Sequence, residues 1–138
     1  MEIERDTPTL LAESCRREKA QTRYYRALAS IAESEGNAPV AERLNALHAD
    51  EQHHLSRLTA RLLELGGTPE DLSGFRQEAI VVFEGWEDVA RSREVKEIEW
   101  YEEVSGVIDD PTTLDVIKEI LESERHHREE LGGKWMPA

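Results

Sequence analysis

Residues 44–62, LNALHADEQHHLSRLTARL, and residues 114–131, LDVIKEILESERHHREEL, decide the fold. In the first, Leu44, Leu47, Leu58 and Leu62 recur at helical spacing, and Glu51 and His54 stand in the middle of that apolar stripe. In the second, Leu114, Ile117, Leu121 and Leu131 form the stripe, and Glu124 and His127 interrupt it. Residues i and i+3 share a face of a helix, so each Glu-x-x-His pair points where its leucines point, into a core. About thirty residues upstream of each pair an isolated Glu lies on another apolar stripe: Glu18 before Glu51, and Glu94 before Glu124. Left unpaired in a core, such groups cost roughly several kcal/mol each. Two divalent cations neutralise the four carboxylates, which is the arrangement of a carboxylate-bridged two-metal site in a four-helix bundle. Hard oxygen donors with one imidazole per metal suit Fe or Mn better than Zn, which favours tetrahedral sites richer in nitrogen and sulfur.

Outward from these two segments the chain divides into four helices. Helix 1 is predicted to start near an N-cap at Thr7 followed by Pro8 and to end at Gly36, with Leu11, Cys15, Glu18, Tyr25, Leu28 and Ala32 inward. Helix 2 runs from about Pro39 to Leu65 and stops at Gly66 and Gly67. Helix 3 starts near Gly85 or Trp86 and carries Val89, Glu94, Glu97, Tyr101 and Val104 inward; helix 4 begins at Asp110 and Pro111 and ends at Gly132 and Gly133. If helices 2 and 3 run parallel, residues of about 67–85 must form a long crossover, with Ala79 to Phe83 covering one flank of the bundle. Glu18 and Tyr25 recur as Glu94 and Tyr101, offset by 76, while Glu51, His53 and His54 recur as Glu124, His126 and His127, offset by 73. Two helical hairpins related by a pseudo-twofold axis would set the half-sites opposite each other.

The 138 residues fit one domain, 38% hydrophobic and 34% charged, a balance that suits amphipathic helices. A formal charge of −13 argues against nucleic acid as a partner. No apolar run is long enough to span a membrane, and the N-terminus MEIERDTPTL lacks the apolar centre of a signal peptide, so a soluble cytoplasmic protein is expected. The single Cys15 excludes an internal disulfide framework and reads as a small buried hydrophobe.

Other candidate residues keep two readings. His53 and His126 fall on polar faces and read as surface histidines, and His48 reads as a boundary residue. Glu94 and Glu97 compete on helix 3: the repeat favours Glu94, and Glu97 is either an additional carboxylate ligand or a solvent-facing residue. Tyr25 and Tyr101 lie two helical turns after Glu18 and Glu94 respectively. Each is either a core residue with a hydroxyl hydrogen bond or a group that binds a ligand carboxylate or supplies an electron.

With these residues in place the chain resembles the rubrerythrin branch of the ferritin-like di-iron superfamily. Glu18 through Tyr25, Glu35 with Gly36, and Glu51 with His54 carry the likeness in the first hairpin. Glu94, Trp100, Tyr101, Asp110, Pro111, Glu124 and His127 carry it in the second, where they are also similar to encapsulated ferritins. The resemblance implies an all-α ferritin-like bundle of two hairpins, with Glu18 and Glu94 as terminal ligands, Glu51 and Glu124 bridging two iron ions, and His54 and His127 completing the site. Manganese or a mixed pair is the alternative filling. It further implies that Asp50 bonds His127 from the opposite hairpin and that Ser123 holds the corresponding, weaker place toward His54. The extra helix 3 carboxylate associated with peroxidase behaviour falls by spacing on Arg91, with Glu97 the nearby substitute. The four-cysteine rubredoxin domain of full-length rubrerythrins is absent, so the resemblance implies a separate electron donor protein.

The expected function is a non-haem di-iron oxidoreductase that reduces hydrogen peroxide or dioxygen, assembled as a homodimer. One alternative is a ferritin-like ferroxidase or storage protein, including the encapsulated type. The other is a metal-free helical bundle.

Overall fold

A computed structural model of the chain describes residues 6–74 and 81–134. It has four helices, α1 (Thr7–Ser34), α2 (Ala38–Glu64), α3 (Trp86–Val107) and α4 (Pro111–Glu129), the last continued by a π-helical turn, Glu130–Lys134. No strand occurs among the described residues. Asp6, one residue before the expected Thr7, caps α1: its carboxylate accepts from the Thr9 N–H at 2.9 Å, while Pro8 occupies the first turn, where its missing N–H goes unneeded. Asn37 caps α2, accepting from Val40 at 3.4 Å, and Asp110 caps α4, accepting from Thr113 at 3.1 Å. Arg61 near the end of α2 donates to Asp110 at 2.6 Å and to the Thr113 hydroxyl at 2.9 Å, which ties that end of α2 to the start of α4. Gly36 and Gly66, at φ 72° and 81°, close α1 and α2 in a left-handed conformation that costs glycine little.

The helices pack as two hairpins, α1 on α2 and α3 on α4, around a core split in two. One half gathers Leu10, Leu11 and Cys15 from the start of α1, Leu58 and Leu62 from the end of α2, Trp100, Tyr101 and Val104 from the end of α3, and Val116 and Ile117 from the start of α4. The other gathers Tyr25, Leu28 and Ala32 from the end of α1, Leu44 and Leu47 from early α2, Trp86 and Ala90 from the start of α3, and Leu131. The end of α2 and the start of α3 therefore lie at opposite ends of the bundle, so the two helices are parallel. The chain between them must travel back along a helix of 27 residues, about 40 Å at 1.5 Å per residue. Residues 67–72 and 81–83 of this crossover have no regular structure.

Two further expectations change. Val89 is 50% exposed, because Trp86, Ala90, Glu94, Glu97, Ile98, Tyr101 and Val104 define the buried face of α3, and Val89 lies beside it. In the segment expected to cover a flank, Val81 and Phe83 pack against the second core half but Val82 is 64% exposed. Ala79 and residue 80 lie outside the described residues.

Candidate metal centre

Between the two halves of the core the apolar stripes are interrupted on all four helices. α1 brings Glu18 there, α2 Glu51 and His54, α3 Glu94 and α4 Glu124 and His127, and every one of these side chains is buried. Their donor atoms form two overlapping groups, Glu18, Glu51, His54 and Glu124 in one, and Glu51, Glu94, Glu124 and His127 in the other; within each group the atoms lie within 4.8 Å of one another. Glu51 and Glu124 belong to both groups. Each histidine turns Nδ1 to the carboxylates: that of His54 is 3.3 Å from Glu18 and 3.2 Å from Glu51, and that of His127 is 3.1 Å from Glu124 and 3.5 Å from Glu94.

A metal fits these residues because their inward atoms have no other partner. Glu18 Oε1, both oxygens of Glu51, His54 Nδ1, Glu94 Oε1 and Glu124 Oε2 are buried without a hydrogen bond. A bundle that buries so many orphaned acceptors is destabilised unless a cation or protons satisfy them. The electrostatics of the protein alone point the same way. Burial, reinforced by Glu18 and Glu94, pushes the Glu51 carboxyl up to about 7. Burial and the neighbouring Glu51, Glu18 and Glu94 also push Glu124 up. For the histidines burial works against the charged form, but the facing carboxylates of Glu18 and Glu51 outweigh it and lift His54 to about 10; Asp50 and Glu94 do the same for His127. Protons and divalent ions would therefore compete for the same carboxylates and imidazoles.

The outward atoms, by contrast, are bonded. Tyr25 donates to Glu94 Oε2 at 2.5 Å and Tyr101 donates to Glu18 Oε2 at 2.6 Å, each across the pseudo-twofold axis to the opposite hairpin. Both tyrosines are buried in the core, each with its hydroxyl bonded to a buried carboxylate. Burial, then the charge of the carboxylates, keeps both phenols protonated, their pKa raised well above the ordinary value. Asp50 Oδ2 lies 2.8 Å from His127 Nε2, and this bond holds Asp50 below the usual carboxylate range. Ser123 lies in a cleft beside His54 but makes no hydrogen bond to it. Its hydroxyl is carried one bond nearer the backbone than an aspartate oxygen and stops short. His53 and His126 are exposed, and His48 is half-buried with Nδ1 3.0 Å from the Thr22 carbonyl.

Glu97 is buried rather than solvent-facing. Its Oε1 pairs with Arg17 at 3.6 Å, its Oε2 is buried without a partner, and burial followed by the charge of Glu18 pushes its carboxyl up to about 8. Arg91, the place given by spacing, is exposed beside Gly132 at the far end of α3.

The residue missed from the sequence is Gln21, which is buried, donates to Glu94 at 3.2 Å and accepts from Arg93 at 2.7 Å. The 76-residue offset of the two hairpins makes Gln21 the counterpart of Glu97, Arg93 that of Arg17 and Tyr24 that of Trp100. The stacking repeats accordingly, with the Arg17 guanidinium 4.3 Å from the Trp100 ring centre and that of Arg93 4.1 Å from Tyr24. One hairpin thus supplies a neutral amide where the other supplies a carboxyl, and the two half-sites are chemically unequal.

Compared with families of known proteins, residues 9–133 match the family described as Rubrerythrin. A search of curated proteins finds no match. No helix among the described residues is long and apolar enough to cross a membrane.

Proposed function

As a member of the rubrerythrin family, this chain is, we propose, a non-haem di-iron oxidoreductase of the cytoplasm that reduces hydrogen peroxide or dioxygen, with electrons from a separate donor protein. The observation that carries the reading is the pair of overlapping donor groups joined through Glu51 and Glu124. Glu18 and His54 would hold one ion, Glu94 and His127 the other, and Glu51 and Glu124 would bridge them; manganese in one or both places keeps the same ligands. Two ferrous ions held there would supply the two electrons needed to reduce peroxide to water.

The chain's own residues prepare that reaction. Asp50 fixes the tautomer of His127 by accepting from Nε2–H, which leaves the Nδ1 lone pair for a metal. Tyr25 and Tyr101 hold the outer oxygens of Glu94 and Glu18 and so direct the inner ones toward the centre. Reduction of peroxide to two waters consumes two protons. Glu97, protonated through neutral pH and buried near Glu18, is placed to hold one of them at Oε2 or to serve as an additional ligand. The exposed Val82 and Val89 suit a twofold dimer contact.

The test is anaerobic mixing of the Fe²⁺-loaded protein with peroxide or with air-saturated buffer. Oxidation should be faster with peroxide and should repeat when a reductant is supplied. Consumption of Fe²⁺ far beyond two per chain, retained as mineral in a large hollow particle, would instead support a ferritin-like storage role.

A further inference from the structure

The centre is sealed unevenly. Glu18, Glu51, Glu94 and Glu124 are fully buried and His127 is 1% exposed, but His54 retains 5% and forms part of the wall of a cleft between α2 and α4. The cleft encloses about 190 Å³ and is lined by Asp50, His53, His54, Arg57, Glu119, Ile120 and Ser123. The pseudo-twofold axis explains why it opens on one side. Over His127 the position before the Glu-x-x-His pair is Asp50, whose carboxylate reaches the ring and plugs the approach. Over His54 the equivalent position is Ser123, which makes no bond to the ring and leaves a gap. Arg57 of α2 and Glu119 of α4 form an ion pair at 2.5 Å on the wall of this cleft, with side chains that are 38% and 62% exposed.

We propose that this cleft is the port through which divalent metal ions reach the centre, filling the Glu18–His54 half-site first. The proposal rests on the metal-centre reading above. Three features of the cleft favour a cation. Asp50 and Glu119 bring two carboxylates to its wall, the first bonded to His127 and the second paired with the single guanidinium of Arg57. His53 offers an exposed imidazole beside His54, so a nitrogen donor lies near the mouth as well as at the base. The cleft is also roomy enough to keep water around an ion, since one water needs only about 10–15 Å³ of such space. Inward of the His54 ring that lines the cleft, its buried, unpartnered Nδ1 faces Glu18 and Glu51. An ion that sheds its water there exchanges it for the donor atoms of the first half-site. A second cleft, at the start of α3, is lined by Gly85, Glu87, Asp88, Arg91, Leu131 and Gly132 and contains no residue of the centre.

The experiment follows Co²⁺ uptake by the chelated full chain in a stopped-flow spectrophotometer, through the visible absorption that the ion gains on ligation, with final metal content and melting temperature measured on the same samples. Ser123→Leu fills the gap over His54 and should slow uptake tenfold or more while final metal content stays at the parent value. Arg57→Ala removes the guanidinium and its ion pair from the cleft wall without touching the core and should speed uptake severalfold, which keeps the proposal testable if the leucine variant folds poorly. Arg91→Leu, in the second cleft, should match the parent. Parent-like rates in Ser123→Leu or in Arg57→Ala would overturn the port while leaving the centre intact. A parent chain that takes up no Co²⁺ would remove the centre and the port together.

Discussion

Removing the metal should invert the pH dependence of stability. In the metal-free protein Glu51 is raised from 4.5 to about 7, chiefly by burial and then by Glu18 and Glu94. A group whose folded pKa lies above its unfolded value contributes stability that is fully present below the unfolded pKa and is lost as pH rises through the folded one. For Glu51 that window runs from about 4.5 to about 7. At about 1.36 kcal/mol per pH unit, Glu51 alone removes about 2 kcal/mol between pH 5.5 and 7.5. Glu97, raised to about 8, adds to the loss over the same range, and His54 and His127, raised from 6.5 to about 10, extend it to higher pH. With a urea dependence of about 2 kcal/mol per molar, the unfolding midpoint of chelated protein should fall by about 1 M or more over those two pH units. The loaded protein should behave oppositely, because protons compete with ions for the same carboxylates and imidazoles. Urea titrations of chelated and loaded protein at the two pH values make the comparison, with Glu51→Gln as the control that flattens the chelated slope. Chelated protein more stable at pH 7.5 than at pH 5.5 would refute the convergence of buried acids on which the centre depends.

Asp50→Ala leaves His127 Nε2 without its acceptor and should weaken metal affinity about 10- to 100-fold by competitive chelator titration, whereas Ser123→Ala should leave equilibrium affinity unchanged. Tyr25→Phe and Tyr101→Phe keep the buried rings but strip a donor from Glu94 and from Glu18; each should cost about 1–3 kcal/mol in denaturant unfolding of the loaded protein. Glu97→Gln should retain the parent metal content, since the six other donors remain, but should lower the rate of oxidation by peroxide in stopped-flow measurements.

Much of this arrangement was legible in the sequence, because a 3.6-residue period shows directly when a charged residue occupies an apolar stripe. Glu18, Glu51, His54, Glu94, Glu124 and His127 stand out for that reason, and all are buried together. The parallel course of α2 and α3 followed from chain length, as a short loop cannot return the chain along a 27-residue helix. Val89 was misread because hydrophobicity on its own does not fix helical phase; α3 buries Glu94 and Glu97 along with its apolar residues and blurs its own stripe. Gln21 was passed over because glutamine is an ordinary surface residue of helices, although the 76-residue repeat pairs it with Glu97. The unequal sealing of the two histidines depends on the reach of single side chains, Asp50 against Ser123, which no periodicity encodes.

The two-ion centre stands or falls on metal content. Chelated protein reloaded anaerobically with Fe²⁺, freed of excess ion and analysed for iron and protein should hold about two ions per chain, as expected of two donor groups with shared carboxylates. Glu51→Ala and Glu124→Ala should lose both ions, because each residue belongs to both groups, and His53→Ala should lose neither. Two ions retained in Glu51→Ala would contradict the account.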